Sequence, residues 1–152
     1  MLFIFLGTSC SGKSSAAEEL KKLTNASIYS GKDYLRLAKN EKEAWNLFKT
    51  KLIEAKGKGL NEESIIYVVS DKNVLPNIND IDGAVKIRFM ADLETLKTRF
   101  AKRTGGKLAP PIEKMLERQM TEWDGVNGDI SFDTSEGISS NDIAAKILEY
   151  CS

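Results

Sequence analysis

Short apolar runs alternate along the chain with longer stretches in which apolar residues recur every three or four positions. The runs are typical of buried β-strands, because strands covered on both faces read as continuous hydrophobic segments. The clearest is Ser-Ile-Ile-Tyr-Val-Val-Ser, and an earlier run, Leu2–Leu6, ends at Gly7. The predicted strands span residues 2–6, 27–30, 64–70, 84–90 and 129–133.

The stretches between these runs predict amphipathic helices. In the longest, Ala44, Phe48 and Leu52 lie on one stripe, and Gly57 follows its end. The predicted helices span residues 13–23, 41–56, about 92–103 and 112–123, with a last one capped by Ser140. Strands that alternate with helices favour a three-layer α/β/α fold, here one domain over residues 1–152 with about five parallel strands.

Composition narrows the classes of function. The chain has 152 residues, and its 22 basic residues balance 22 acidic ones, which argues against a nucleic-acid partner. The absence of histidine excludes Ser-His-Asp and Cys-His catalysis and histidine metal sites. Cys10 and Cys151 show no disulfide framework, which favours a cytoplasmic setting. No apolar run reaches the length of a membrane span, so no membrane partner is expected.

A phosphate-binding loop lies between the first predicted strand and the first predicted helix. Residues 7–14, Gly-Thr-Ser-Cys-Ser-Gly-Lys-Ser, fit the pattern G-x-x-x-x-G-K-[ST]. Such a loop points successive backbone N–H groups at phosphate oxygens, and the helix adds the positive end of its dipole. Lys13 is expected to bridge the β- and γ-phosphates and the Ser14 hydroxyl to bind Mg²⁺. The residues expected to bind nucleotide are Gly7, Thr8, Ser9, Cys10, Ser11, Gly12, Lys13, Ser14 and Ser15; a chance Gly/Ser turn is the alternative.

Other segments narrow the kind of phosphate-loop protein. No N-K-x-D motif follows a later strand, which argues against a Ras-type GTPase. The loop, Ser-Gly-Lys-Asp-Tyr-Leu at 30–35, the cations of 99–103 and Asp-Thr-Ser at 133–135 resemble segments of compact P-loop kinases. These are gluconate kinase, adenylylsulfate kinase, shikimate kinase and guanylate kinase. Cys10 stands where the gluconate kinase loop usually has glycine, and the guanylate kinase Arg-Pro-Gly-Glu segment is missing.

This resemblance implies a P-loop NTPase fold of the nucleotide-kinase type, with strand order 2-3-1-4-5, and ATP and Mg²⁺ as cofactors. Thr134 would then lie in the loop beside the adenine. Asp33 would rise at the carboxyl edge of the sheet, as the base or orienter for an acceptor hydroxyl, or as the cap of a short helix. Asp71 would either bind Mg²⁺ at the tip of its strand or form a turn or helix N-cap.

A basic segment suggests a lid at about 99–118. Residues 96–107 carry five cations and no acid, although such a run is usually a solvated face. Arg99 and Arg103 share a helix face and are expected to reach the same phosphates, as catalytic groups. Arg118 is expected either to close on the transferred phosphoryl group or to pair with Glu122.

The sequence therefore predicts an ATP- and Mg²⁺-dependent phosphotransferase. Its acceptor would be a small molecule, either a sugar-acid or similar hydroxyl or a nucleotide phosphate. A non-catalytic nucleotide-binding regulatory module and a kinase of nucleic-acid 5′ ends are the alternatives. Trp45 and Trp123 are expected to pack in the core rather than to stack on a base, and Tyr34 is expected near the acceptor.

Overall fold

A parallel sheet of five strands forms the middle layer of the fold, in a computed structural model that describes residues 1–60 and 62–152. The strands are β1 (Leu2–Leu6), β2 (Ala26–Ser30), β3 (Ser64–Val69), β4 (Val85–Met90) and β5 (Ile130–Asp133). Their order, β2-β3-β1-β4-β5, confirms the predicted fold class and topology.

Helices cover both faces of the sheet. They are α1 (Lys13–Leu23), α2 (Glu41–Lys56), α3 (Leu75–Ile78), α4 (Leu93–Arg103), α5 (Pro110–Trp123) and α6 (Ser140–Cys151). Short 3-10 helices at Asp33–Leu37, Lys72–Val74 and Thr134–Glu136 follow the ends of three strands.

The predicted cap of the last helix was wrong by one residue. Ser139 has the extended backbone of an N-cap, and its hydroxyl accepts a hydrogen bond from the Asp142 N–H at 3.1 Å. Ser140 is the first residue inside α6, where its side chain has no such amide to satisfy.

Alternate residues of β1 enter two different cores, which explains why the whole strand is apolar. Leu2, Ile4 and Leu6 pack on the face covered by α2. Phe3 and Phe5 pack on the opposite face, against α1 and α6. Every residue of this central strand is therefore buried.

The carboxyl ends of the parallel strands meet at one edge of the sheet, which is where open α/β sheets bind ligands. Most buried polar side chains of the described residues gather at or beside this edge. They are Thr8, Ser11, Lys13, Arg88 and Thr134, with Ser64 at the other end of β3 as the exception. Burying polar groups has an energetic cost, so their concentration here marks the edge as the place to look for function.

No helix within the described residues combines the length and the apolar character needed to cross a membrane.

Candidate active site

The loop after β1 can be built only with glycine at both ends. Gly7 has φ of 152°, and a Cβ atom there would lie 2.3 Å from the Phe89 carbonyl oxygen. Gly12 has φ of 99°, and a Cβ atom there would lie 3.2 Å from the Cγ2 of Thr134. The two glycines therefore let the loop lie close to β4 and to the residues after β5.

The N-terminus of α1 differs from those of the other long helices that leave the same edge. Asn40, Asp92 and Ser139 cap α2, α4 and α6 with side-chain oxygens. In contrast, α1 follows Gly12 with no side-chain cap and no acid in its first turn. Its first N–H groups therefore remain suited to an external anion.

Lys13 is held inside the loop that precedes it. Its Nζ donates to the carbonyl oxygen of Gly7 at 2.7 Å and also to that of Thr8. The side chain is buried, which lowers the pKa of Lys13 to about 7; the charges of Arg88 and Arg103 act in the same direction. Negative phosphate oxygens would supply the missing counter-charge and stabilise the ammonium form.

Cys10 adopts a backbone conformation that glycine usually supplies. Its φ is 64°, and it is the one described residue other than glycine with a positive φ. A side chain in this left-handed region costs roughly 1–2 kcal/mol. The strained position is fixed from outside, because the Arg99 guanidinium donates to the Cys10 carbonyl oxygen at 2.9 Å.

Arg99 joins the phosphate loop to the segment after β5. Besides its bond to Cys10, the guanidinium donates to the Thr134 hydroxyl at 2.9 Å and to the Thr134 carbonyl oxygen at 2.7 Å. The Thr134 hydroxyl in turn donates to the Ser11 carbonyl oxygen at 2.8 Å. Three hydrogen bonds from its five N–H donors therefore tie Arg99 to the protein as a strut between the loop and the segment after β5.

Two adjoining cavities lie along the loop, and Arg99 lines the outer one. The outer one, of about 410 Å³, is lined by Cys10, Gly12, Ser15, Arg99, Lys102, Arg103, Thr134, Ile138, Ser140 and Ile143. The inner one, of about 200 Å³, is lined by Ser9, Cys10, Gly12, Lys13, Ser14, Ser30, Val68, Ser70 and Arg103. They share Cys10, Gly12 and Arg103, so they adjoin each other along the loop.

Comparison with known proteins gives a structural relationship and no sequence relationship. No family model and no curated protein matches the chain. A shikimate kinase from Acinetobacter baumannii has a TM-score of 0.66 at 16% identity, over 98% of this chain and 91% of that one. A gluconokinase from Sinorhizobium meliloti has a TM-score of 0.63 at 15% identity, over 97% and 89%. An uncharacterized protein from Eubacterium ventriosum has a TM-score of 0.69 at 15% identity, over 99% and 98%.

The fold is that of the small P-loop kinases. Matches at this level of identity show the fold alone, so the roles of individual residues have to come from the geometry of this chain. The predicted acceptor residues Asp33 and Tyr34 follow β2, which lies across β1 from β4 and β5 in the sheet.

Asp33 lies at the carboxyl end of β2, as predicted, but its carboxylate is turned back onto the strand. It accepts a hydrogen bond from the Ser30 N–H at 2.9 Å. It is exposed and lines none of the cavities described in this section. The geometry thus favours a turn-stabilising carboxylate, although the bond is to Ser30 and not to the helix that follows.

Asp71 follows β3 and caps the 3-10 helix Lys72–Val74, since its carboxylate accepts from the Asn73 N–H at 2.9 Å. This is the N-cap alternative of the sequence analysis. The same residue also lines a cleft of about 460 Å³ between α2 and the end of β3. The cleft lining comprises Gly31, Lys32, Tyr34, Glu41, Lys42, Trp45, Tyr67, Asp71, Val74 and Asn77.

Trp45 and Trp123 have different surroundings. Trp123 is fully buried, and its indole N–H donates to the Ser70 carbonyl oxygen at 3.0 Å. Trp45 is half-buried and lines the cleft beside Tyr34, with their ring centroids 5.2 Å apart. The prediction of core packing therefore describes Trp123, whereas Trp45 packs against the core and also faces the cleft.

The cations of the predicted lid differ in whether they form ion pairs with neighbouring side chains. Lys97 bridges α4 to α5 through Glu113 at 2.9 Å and Glu117 at 3.6 Å. Arg103 is exposed at the last turn of α4 and lines both cavities beside the loop. Arg118 pairs with Glu122 at 3.4 Å, the alternative considered from sequence, and lines a groove of about 500 Å³ with Ser70 and Asp71.

Gln119 is a site residue that sequence reasoning missed. Its side-chain oxygen accepts a hydrogen bond from the Ser9 N–H at 2.9 Å. Ser9 lines the inner cavity, so a glutamine from α5 occupies one of the loop's backbone donors. A lone glutamine on an amphipathic helix carries no sequence signal for such a contact.

Proposed function

We propose that this protein transfers the γ-phosphoryl group of ATP to a small-molecule acceptor, in a reaction that requires Mg²⁺. The observation that carries the proposal is a continuous row of cavities along the carboxyl edge of the sheet. The outer and inner cavities share Arg103, the inner cavity and the groove share Ser70, and the groove and the cleft share Asp71. A donor on one side and an acceptor on the other would meet at the phosphate loop.

The donor side suits a nucleoside triphosphate. The outer cavity carries Arg99, Lys102 and Arg103, whereas the inner one offers Lys13 and the uncapped amides of α1. In the proposed reaction Lys13 holds the β- and γ-phosphates, and Arg103 stabilises the charge that develops during transfer. Arg99 positions the loop through its bonds to Cys10 and Thr134.

The residues at the inner cavity fit Mg²⁺ in part. The Ser14 hydroxyl is exposed in the inner cavity beside Lys13, and hydroxyl and phosphate oxygens with water form a suitable octahedral set. Asp71 lines the neighbouring groove rather than this cavity, so it would reach the ion through water. Mg²⁺ would supply charge neutralisation of the phosphates in transit.

Asp71 takes the acceptor role that the sequence analysis gave to Asp33. It stands where the groove meets the cleft, and one of its carboxylate oxygens is committed to Asn73. In the proposed reaction the other oxygen orients the acceptor hydroxyl and takes its proton.

The test is ADP formation from ATP with a panel of acceptors that contains nucleosides, nucleotides, sugar acids, shikimate-like alcohols and a 5′-hydroxyl oligonucleotide. The wild-type chain should turn over ATP with at least one small molecule and only with Mg²⁺. The Lys13→Ala variant should fold and lose about 10³-fold or more of that turnover. ATP binding without acceptor-dependent turnover would instead identify a regulatory module, and turnover with the oligonucleotide alone a nucleic-acid kinase.

A further inference from the structure

The cleft between α2 and β3 has aromatic walls. Tyr34, Trp45 and Tyr67 line it together with Val74. The rings belong to one packed set, since Phe48 lies 5.6 Å from Tyr34 and 4.8 Å from Tyr67, centroid to centroid. Its volume of about 460 Å³ lies within the range typical of small-molecule sites.

Tyr67 brings a polar atom to the floor of the cleft. Its side chain is 1% exposed, and no hydrogen bond joins its hydroxyl to another described residue. The hydroxyl oxygen is not among the fully enclosed unpartnered side-chain atoms of the described residues, so it remains open to a ligand or to water. Buried tyrosines usually pair this group. The pKa of Tyr67 is raised, first by burial and then by the nearby Tyr34 and Asp71, so the hydroxyl stays protonated and able to donate.

Positive charge is confined to the rim of this cleft. Its lining cations are Lys32 and Lys42, both exposed, and Lys32 lies 3.6 Å from the Glu41 carboxylate. No arginine is among its lining residues, in contrast to the outer cavity, which has Arg99 and Arg103. A phosphate or a multiply charged acid would therefore find no fixed bidentate partner in the interior.

From these features we propose that the acceptor is an alcohol carried on a flat, largely uncharged ring system, of the nucleoside class. The ring lies against Trp45 and Tyr34, an acceptor atom of the ring receives the Tyr67 hydroxyl hydrogen bond, and the reacting hydroxyl faces Asp71. This substrate class rests on the proposed phosphotransfer, but binding in the cleft does not.

The proposed transfer involves only ATP, the acceptor hydroxyl, the Asp71 carboxylate and solvent. The acceptor oxygen forms a bond to the γ-phosphorus of ATP, the bond from that phosphorus to the β–γ bridging oxygen breaks, and ADP leaves. The proton of the acceptor hydroxyl goes to the Asp71 carboxylate and then to solvent.

Trp45 provides a direct readout of binding. It is one of two tryptophans in the chain, and the other, Trp123, is fully buried. Adenosine and thymidine should quench the emission in a saturable way without ATP, and gluconate and shikimate should not. Trp45→Phe should abolish the signal.

Tyr67→Phe and Tyr29→Phe form a matched pair. Both tyrosines are buried in the same core, but Tyr29 is not among the cleft-lining residues. Loss of the Tyr67 hydroxyl should weaken nucleoside binding roughly tenfold, because the ring atom loses its donor. Tyr29→Phe should leave binding unchanged, and equal melting temperatures would show that both variants fold.

The outcomes separate this proposal from the proposed function. Saturable quenching by nucleosides without ATP turnover would support nucleoside binding in the cleft and contradict the proposed phosphotransfer. Turnover with gluconate or shikimate but not with nucleosides would keep the phosphotransfer and overturn the substrate class. Absence of nucleoside binding, or equal binding by wild type and Tyr67→Phe, would also overturn it.

Discussion

The two sides of the phosphate loop hold their polar groups in different ways. On the β5 side, Arg99 and Thr134 bond to each other, and each also donates to a carbonyl oxygen of the loop, Arg99 to Cys10 and Thr134 to Ser11. On the β2 side, Tyr67 has a hydroxyl with no partner among the described residues, and Trp45 presents a half-exposed ring. The first side is a framework that fixes the shape of the loop, whereas the second leaves a hydroxyl and an aromatic ring available to a ligand.

This difference suggests how the two sides divide their work. In the proposed reaction the β5 side holds only the phosphates that every nucleoside triphosphate shares, so a rigid backbone cradle would suffice there. The proposed acceptor would have to be discriminated, and buried polar groups that a ligand has to pair discriminate strongly, because the wrong ligand leaves them unsatisfied. Variants at matched positions on the two sides test this division.

The largest expected effect distinguishes the two carboxylates of the acceptor side. Asp71→Asn should lower kcat about 10²-fold or more at saturating Mg²⁺, because the group that orients the hydroxyl and takes its proton is lost. Asp33→Asn should leave kcat within about twofold and weaken only the turn at Ser30. Steady-state kinetics at several Mg²⁺ concentrations measure both; if added Mg²⁺ restores Asp71→Asn, its role is in metal binding.

The next comparison separates a strut from a catalytic group on α4. Arg103→Ala should lower kcat about 10²-fold while the melting temperature stays constant, because this exposed side chain acts only on phosphate. Arg99→Ala should lower the free energy of unfolding by about 2 kcal/mol, since it removes charged hydrogen bonds to Cys10 and Thr134. The melting temperature and kcat of both variants distinguish the two roles. If Arg99→Ala keeps its stability but loses kcat, Arg99 acts on the phosphates, as the lid prediction states.

Proton uptake should accompany triphosphate binding. Burial lowers the pKa of Lys13 to about 7, so much of the side chain is neutral above that pH, and bound phosphates raise its pKa again. Affinity is therefore highest below about pH 7 and should fall up to about tenfold per pH unit above it. Titration calorimetry in two buffers of different ionisation enthalpy at pH 8 measures the uptake. A binding enthalpy that is independent of the buffer would contradict it.

The smallest expected effect concerns Gln119. Gln119→Ala should raise triphosphate affinity a few-fold, because the Ser9 N–H is then free for a phosphate oxygen and one neutral hydrogen bond contributes about 0.5–1.5 kcal/mol. Gln119→Glu should lower the affinity, since it keeps the acceptor and adds a negative charge. Equilibrium binding of a non-hydrolysable ATP analogue provides the measurement. If both substitutions weaken binding, the glutamine stabilises the loop rather than competing with phosphate for the Ser9 N–H.

Much of the fold follows from local pattern. The bounds of α1 and α2 and the five strands agree with the prediction to within one residue, because burial on both faces imposes continuous apolar runs and one-sided burial imposes a helical stripe. The phosphate loop is equally local, since its glycines, lysine and serine are contiguous in the chain. Sequence alone therefore determined the architecture and the position of the glycine-bounded loop after β1.

Only the tertiary structure decided which polar groups remain for a ligand. Arg99 meets Cys10 across 89 positions of the chain, and Gln119 meets Ser9 across 110, so neither contact has a periodicity that a sequence could show. Asp33 and Asp71 look alike in sequence, as acids after strands, but Asp33 turns back to Ser30 while Asp71 lines the cleft. The physical reason is that a polar side chain bonds to whichever partner packing brings within about 3 Å, and packing between distant segments is settled by the whole core.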